Sequence, residues 1–542
     1  MVHIFSKPTH ASDDFIDTTR SMENIYERTN CKSKHSSQSG ETGRLLTSIY
    51  LFVIFTGLPL VVHNGYFDIV ETKFIFFLAA SALYMSLILF FWLYDRSTIL
   101  PFSQLQKLFV ANVGILVFLF AYLLNSLFSG GSSSLLGQGA RYQGTLTMLC
   151  YALLYGCLSH NFYFSRLSFC GLVTGFCFVS LLAMCNTFGF DPLNMARALP
   201  ASQRWQFIST LGNVNFYSAY LGTLLPVLMT CWCFSKKRTY QFFSGIAILC
   251  GFIGMLPTGS ESFMLALFTG FWILPLFMFS HPYALKRYCA ALLVMTLVLS
   301  FFRFLSNTMP MIQYISLSMR TLTHPVTLLC ITITCCTLLV FLHKKQTPLH
   351  WQRWYLFVSL ALLIFGVTIV VLSNTLLKDV SFGTFDRFIK LNASWGTGRA
   401  EIWIYCLRFF RSFPLHSMLF GSGANCLALF DMQHPLYSST AILDSAHNEY
   451  LQYLLAAGII GLAGYVALIT STVVMALKRT KRSIFSCVCI VGILAYASQA
   501  LVNIAQPIST PYMFLLLGML AGYSHEPHGM ESTLDFLFGA SA

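Results

Sequence analysis

Fourteen apolar runs lie between residues 45 and 523, and they constrain this chain more than any other feature. They fall near 45–62, 73–94, 108–127, 143–160, 168–186, 211–233, 241–257, 263–280, 288–304, 322–342, 356–375, 450–475, 483–503 and 510–523. About 20 apolar residues cross a bilayer as an α-helix, because a helix rises ~1.5 Å per residue and satisfies its own backbone in lipid. The last run is the shortest. Composition agrees: of 542 residues, 10% are charged and 56% hydrophobic, whereas soluble domains carry roughly 25% charged residues. A soluble chain of this size would need far more polar surface over its core. A cytosolic enzyme, a disordered chain and a secreted disulfide scaffold are excluded. The expectation is an all-α polytopic membrane protein with about 12–14 transmembrane helices.

The net charge of +13 would suggest nucleic acid in a soluble domain. In a membrane protein it reads as positive charge retained on cytoplasmic loops, and no nucleic-acid partner is expected. With the N-terminus inside, the inner connections hold fifteen Lys and Arg, from Arg96 and Lys107 to the Lys478–Arg482 run. The short outer connections hold Arg141, Arg197, Arg204 and Arg320, with Lys73 and Arg303 at outer span ends. That asymmetry sets the expected orientation, with both termini cytoplasmic. Residues 1–44 mix six basic and six acidic residues without an apolar run. They read as a disordered cytoplasmic tail rather than a signal peptide, which makes the first run an uncleaved anchor. The expected organisation is this tail, eleven helices over 45–375, an extracytoplasmic loop at 376–449, three helices over 450–523, and a cytoplasmic tail at 524–542.

The 376–449 loop is much longer than the other outer connections, and loops beyond about 15 residues are usually functional or disordered. It is not of low complexity. Ile402, Trp403, Cys406, Phe409 and Phe410 recur at helical spacing between Arg399 and Phe413, before Pro414 and the Gly421-Ser-Gly423 turn. A small folded cap on the membrane surface is expected. The 17 Cys form no metal-ligand pattern, and most sit inside apolar runs, where Cys behaves as a small hydrophobe. Asp and Glu are absent from the interiors of the proposed spans, which weighs against an ion-driven carrier.

Four outward segments concentrate polar residues: Gly139-Ala-Arg-Tyr-Gln-Gly144, Gly212-Asn-Val-Asn-Phe-Tyr217, Pro257-Thr-Gly-Ser-Glu-Ser262, and the long loop with Gly396-Thr-Gly-Arg-Ala-Glu-Ile-Trp403 and Asp444-Ser-Ala-His-Asn-Glu-Tyr-Leu451. His447, Asn448 and Tyr450 fall on the first turns of a membrane helix, where unpaired N–H groups and the helix dipole favour an anion. Asp444 or Ser445 is the expected cap. Arg399 and Arg141 would make this a cationic pocket suited to a diphosphate, since Arg holds two phosphate oxygens in fixed geometry. Taken singly, each residue has a plainer reading: His447 as a helix cap, Arg399 as a surface charge, Arg141 as an interfacial anchor, Asn213 and Asn215 as a helix-start turn.

In this order the segments resemble the O-antigen ligase and O-antigen polymerase superfamily: Gly-Asn-x-Asn-Phe, Thr-x-Ser-x, Gly-Arg-x-x-x-Trp, Gly-x-Gly, and Ala-His-Asn-x-Tyr-Leu followed by Gly-x-x-Gly-Leu. The resemblance runs from about Arg141 to Leu462 and is densest from Gly396. It implies a metal-independent glycosyltransferase without a cofactor, of GT-C-like helical fold, in the bacterial inner membrane. The implied donor is an undecaprenyl-diphosphate-linked glycan and the acceptor a lipid- or polymer-linked saccharide. His447 and Arg399 become the catalytic candidates. Arg141, Arg204, Asn213, Asn215, Ser260, Asn448 and Tyr450 become the substrate-binding ones. Where relatives commonly have Ser-Arg, this chain has Ser260-Glu261, so either Arg141, Arg204 or Arg320 supplies that positive charge or the donor sits differently. A ligase is the first expectation and a repeat-unit polymerase the second. A transporter of lipid-linked oligosaccharide would be expected to show paired helical halves and deep polar residues, and a scaffold would leave the outer Arg and His unexplained.

Overall fold

A computed structural model describes residues 42–94, 102–129, 132–138, 141–308, 316–344, 350–393, 395–437, 442–478, 483–525 and 538. Residues 1–41, Arg96, Gly139-Ala140, Lys345, the Arg479–Arg482 run and nearly all of 524–542 lie outside these, so the expectations for both tails and for those loop charges do.

The chain is an all-α polytopic membrane protein. Its first half holds α1 (Thr42–Leu60), α2 (Ile69–Tyr94), α3 (Phe102–Ser129), the short α4 (Ser132–Leu136), α5 (Thr145–His160), α6 (Arg166–Thr187), α7 (Val214–Phe234) and α8 (Arg238–Gly254). After these come α9 (Glu261–Ile273), α10 (Pro275–Met278), α11 (Pro282–Thr308), α12 (Leu317–Leu322), α13 (Pro325–Lys344) and α14 (His350–Asn374). The long loop folds into α15 (Asp386–Ile389), α16 (Trp395–Arg411), α17 (Leu415–Phe420) and α18 (Cys426–Gln433), before α19 (Glu449–Leu477), α20 (Ile484–Gln499) and α21 (Thr510–His525). Each of the fourteen apolar runs falls on a helix or helix pair. Among the described residues, ten helices are long and apolar enough to cross a membrane. Runs 108–127, 143–160, 241–257 and 510–523 fall on helices outside that set, among them Val113–Leu127 and Thr145–His160, which are apolar but shorter.

Helices α7 and α20 form the centre. They pack on each other and both on α9, and α7 also meets α8. Helix α21 packs on α5, and α19 on α3, where Gly114 and Gly464 let the backbones approach; a Cβ on Gly464 would lie 2.6 Å from the Phe118 nitrogen. Helix α14 stands at the periphery with most of its side chains outward. Lys73 is fully buried. Its Nζ donates to the carbonyls of Leu58, Pro59 and Val61 at 2.8–3.0 Å, so this cation closes the C-terminus of α1.

Helix α19 is not one straight crossing. Gly458 has φ +69° and ψ −171°, which breaks the ladder. The freed carbonyls of Leu455 and Ala456 accept the amides of Ser422 and Gly423 at 2.9 and 3.1 Å. The Gly421-Ser-Gly423 turn thus docks into the break. A Cβ on Gly421 would meet the Ala456 oxygen at 2.2 Å. The cap has its own small core, with Ile402, Cys406 and Phe413 against Cys426, Leu427, Ala446, Leu451 and Leu455. The amphipathic stretch forms α16, which buries Ile402 and Cys406 and half-buries Trp403, Phe409 and Phe410.

Candidate active site

The start of α19 is built by its own sequence. Asn448 is the cap: its Oδ1 accepts the Leu451 amide at 3.0 Å. Gln452 reaches back to accept the Ala446 amide at 3.0 Å. Asp444 and Ser445, the caps expected from sequence, have other partners. Ser445 Oγ accepts the His447 amide at 3.2 Å, and Asp444 faces Arg141. His447 itself sits at φ +49°, a left-handed conformation that is costly for a side-chain-bearing residue and that clusters at functional sites.

Arg141 also has positive φ, +54°. Its Nε and Nη2 donate to the two Asp444 oxygens at 3.0 and 3.1 Å, a two-point pair. Its guanidinium carbon lies 5.4 Å from the centroid of the Phe216 ring, which brings the first and second segments together. Arg399, on α16, is 9% exposed. Its Nη1 donates weakly to the Gly396 carbonyl at 3.4 Å, and its Nε has no hydrogen-bond partner among the described residues. Burial loosens the guanidinium's hold on its proton, and the charge of Glu261 opposes that loss. Glu261 therefore acts on Arg399, which joins the third segment to the fourth.

These charges meet at His447. Burial pushes its imidazole down to about 4; the positive charges of Arg141 and Arg399 push the same way, and Asp444 opposes them. The side chain is neutral at neutral pH, an acceptor with two guanidinium groups in electrostatic reach.

The remaining expected residues divide. Asn213 caps α7, its Oδ1 accepting the Asn215 amide at 2.8 Å. It ends a two-residue antiparallel ribbon, β1 (Phe207–Ile208) with β2 (Gly212–Asn213). Ser260 caps α9 and shares a 2.8 Å hydrogen bond with the Ser262 hydroxyl. The Tyr450 hydroxyl donates to the Ala497 carbonyl at 2.8 Å, which anchors α19 to α20. Arg204 bonds within its own loop, Nε to the Leu199 carbonyl at 3.1 Å, rather than to the Arg141–His447 group. Among the described residues, no three His, Cys, Asp or Glu gather as a metal ion would require.

Sequence reasoning missed a buried amide that links two of the segments. Asn503 Nδ2 reaches the Asn215 carbonyl, Ser262 Oγ and Gln499 Oε1 at 3.2, 3.1 and 2.6 Å. One buried amide in the connection between α20 and α21 thus ties the second segment to the third. The signal was four polar residues between Asn503 and Thr510, which reads equally as a turn.

Residues 321–466 match the family described as O-antigen ligase. The resemblance seen in the motifs thus returns from an independent comparison. The matched stretch runs from α12 through α13, α14, the cap and the break in α19, and it contains Arg399 and His447. Arg141, Asn213 and Ser260 lie before it. The match supports an activity of the O-antigen ligase or polymerase type on a multi-pass membrane protein. No curated protein matches the chain significantly.

Proposed function

We propose that this chain transfers a glycan from an undecaprenyl-diphosphate-linked donor to an acceptor hydroxyl at the outer face of a bacterial inner membrane, as an O-antigen ligase does. The observation that carries this reading is the convergence of Arg141, from the first segment, with Arg399 and His447, from two stretches of the long loop. The acceptor oxygen attacks the sugar C1 as the C1–O bond to phosphate breaks. The bonding pair leaves with the diphosphate, and the acceptor's proton passes to neutral His447. A diphosphate is already a good leaving group, so charge neutralisation by Arg399 and Arg141 contributes more than a strong acid would. Arg141 must then exchange Asp444 for phosphate oxygens. No metal takes part in this scheme. Positioning two membrane-tethered substrates supplies much of the remaining acceleration.

A second feature supports a lipid-linked donor. An apolar cavity of about 1020 Å³ lies between α9, α11, α13 and α14, lined by Met264, Leu267, Phe271, Met295, Cys335 and Trp354 among others. Met264, on that lining, is one turn along α9 from Glu261. The test is transfer by the purified protein from a defined lipid-linked donor to a lipid-linked core saccharide or to a second donor molecule. Product on the core saccharide marks a ligase, elongated donor marks a polymerase, and neither removes the reading.

The mechanism requires the cap to face outward. A reporter active only outside the cytoplasm, fused at about residue 430, is expected to be active, as the charge asymmetry of the connections requires. Activity there from a reporter that works only in the cytoplasm would invert the orientation.

A further inference from the structure

In the sequence Glu449 is the last residue of the long loop. It is the first residue of α19, and its side chain is 1% exposed. Its two oxygens accept the hydroxyls of Tyr465 and Tyr496, each at 2.7 Å. The Tyr496 oxygen shares a 2.7 Å hydrogen bond with Thr510 Oγ1, which accepts the Gln506 amide at 3.0 Å. With Tyr496 donating to the carboxylate, Thr510 donates to Tyr496, so the chain of hydrogen bonds is directed and ends on Glu449.

The bond to Tyr465 has a geometric meaning. Sixteen residues of straight helix would separate the two backbones by about 24 Å, beyond the reach of both side chains together. The contact exists because Gly458 lies between them and folds the first turns of α19 back along the rest. The rings agree: Tyr450 and Tyr453 lie 5.9 and 4.8 Å from Tyr465. Glu449 closes that fold from one side and is tied through Tyr496 to α20 on the other. A buried carboxylate is costly, and apolar packing could hold two helices at lower cost. Here it lies two residues after His447.

We propose that Glu449 is a positioning residue, which latches the folded-back start of α19 so that His447 faces the reacting atoms. This rests on the reading of His447 as the base. Isosteric Glu449→Gln places an N–H donor against hydroxyls that already donate, so the latch must rearrange. Turnover is expected to fall on the order of 10–100-fold, with donor KM unchanged. In a His447→Gln background the same substitution is expected to add no further loss, because there is no base left to misplace. Tyr496→Phe, which removes one donor and leaves the apolar packing, is expected to lose about 2- to 10-fold with the same dependence on His447. It serves as the test if Glu449→Gln does not fold. Equal losses in both backgrounds, or a changed donor KM with the same turnover, would make Glu449 a fold residue only. If His447→Gln is inactive while Glu449→Gln and Tyr496→Phe turn over like the parent, the latch fails and the glycosyl-transfer reading stands. If His447→Gln turns over like the parent, the base assignment and the latch fall together.

Discussion

Turnover of the His447→Gln protein is expected to fall by about 10²–10⁴-fold, the usual contribution of a positioned base. Glutamine keeps a hydrogen bond and loses the proton transfer, so His447→Ala is expected to fall similarly while donor binding persists. The pH dependence sharpens this. Imidazole accepts a proton only when neutral, and burial with two nearby guanidinium groups keeps His447 neutral down to about pH 4 in the free protein. The profile of kcat/KM, which reports the free protein, is therefore expected to fall only as pH drops through about 4, not near 6.5. A bound diphosphate cancels the two positive charges and favours imidazolium. The acid limb of kcat, which reports the donor complex, is expected at higher pH than that of kcat/KM. Steady-state profiles of purified protein decide this. Parental turnover in His447→Gln removes the base, and coincident limbs detach the diphosphate from the two arginines.

Arg399→Ala is expected to lose about 10²–10³-fold in turnover, comparable with removing one preorganised donor from a developing anion. Arg399 is buried and its Nε has no hydrogen-bond partner among the described residues, so it already presents a donor without a bond to break. Arg399→Lys keeps the charge and loses the two-point fork, and it is expected to remain strongly impaired. Removing the cation also leaves Glu261 unopposed beside the donor's diphosphate, which repels it. Transfer assays on variants present at parental level in the membrane measure both. Full turnover in Arg399→Ala leaves the diphosphate clamp without its central residue.

The helices were legible because lipid demands long apolar runs, and those runs need no partner to be seen. Arg399 and His447 stand out in the sequence as candidates because motif spacing carries them. The partners of these residues do not. Asp444 reads as a cap, since nothing local reveals that Arg141, 303 residues earlier, takes both its oxygens. Glu449 reads as a loop carboxylate, because the hydroxyls that bury it arrive from 16 and 47 residues away. The break at Gly458 is silent for a related reason. Apolar residues continue on both sides of it, so periodicity runs through the position where the backbone does not.

That break makes the cap and the membrane helix a single unit of inheritance. The Gly421-Ser-Gly423 turn supplies amides that α19 lacks from its own ladder, and Gly458 supplies the space. Neither half is complete without the other, so exchanging the cap between relatives as a cassette would have to carry the first half of α19 with it.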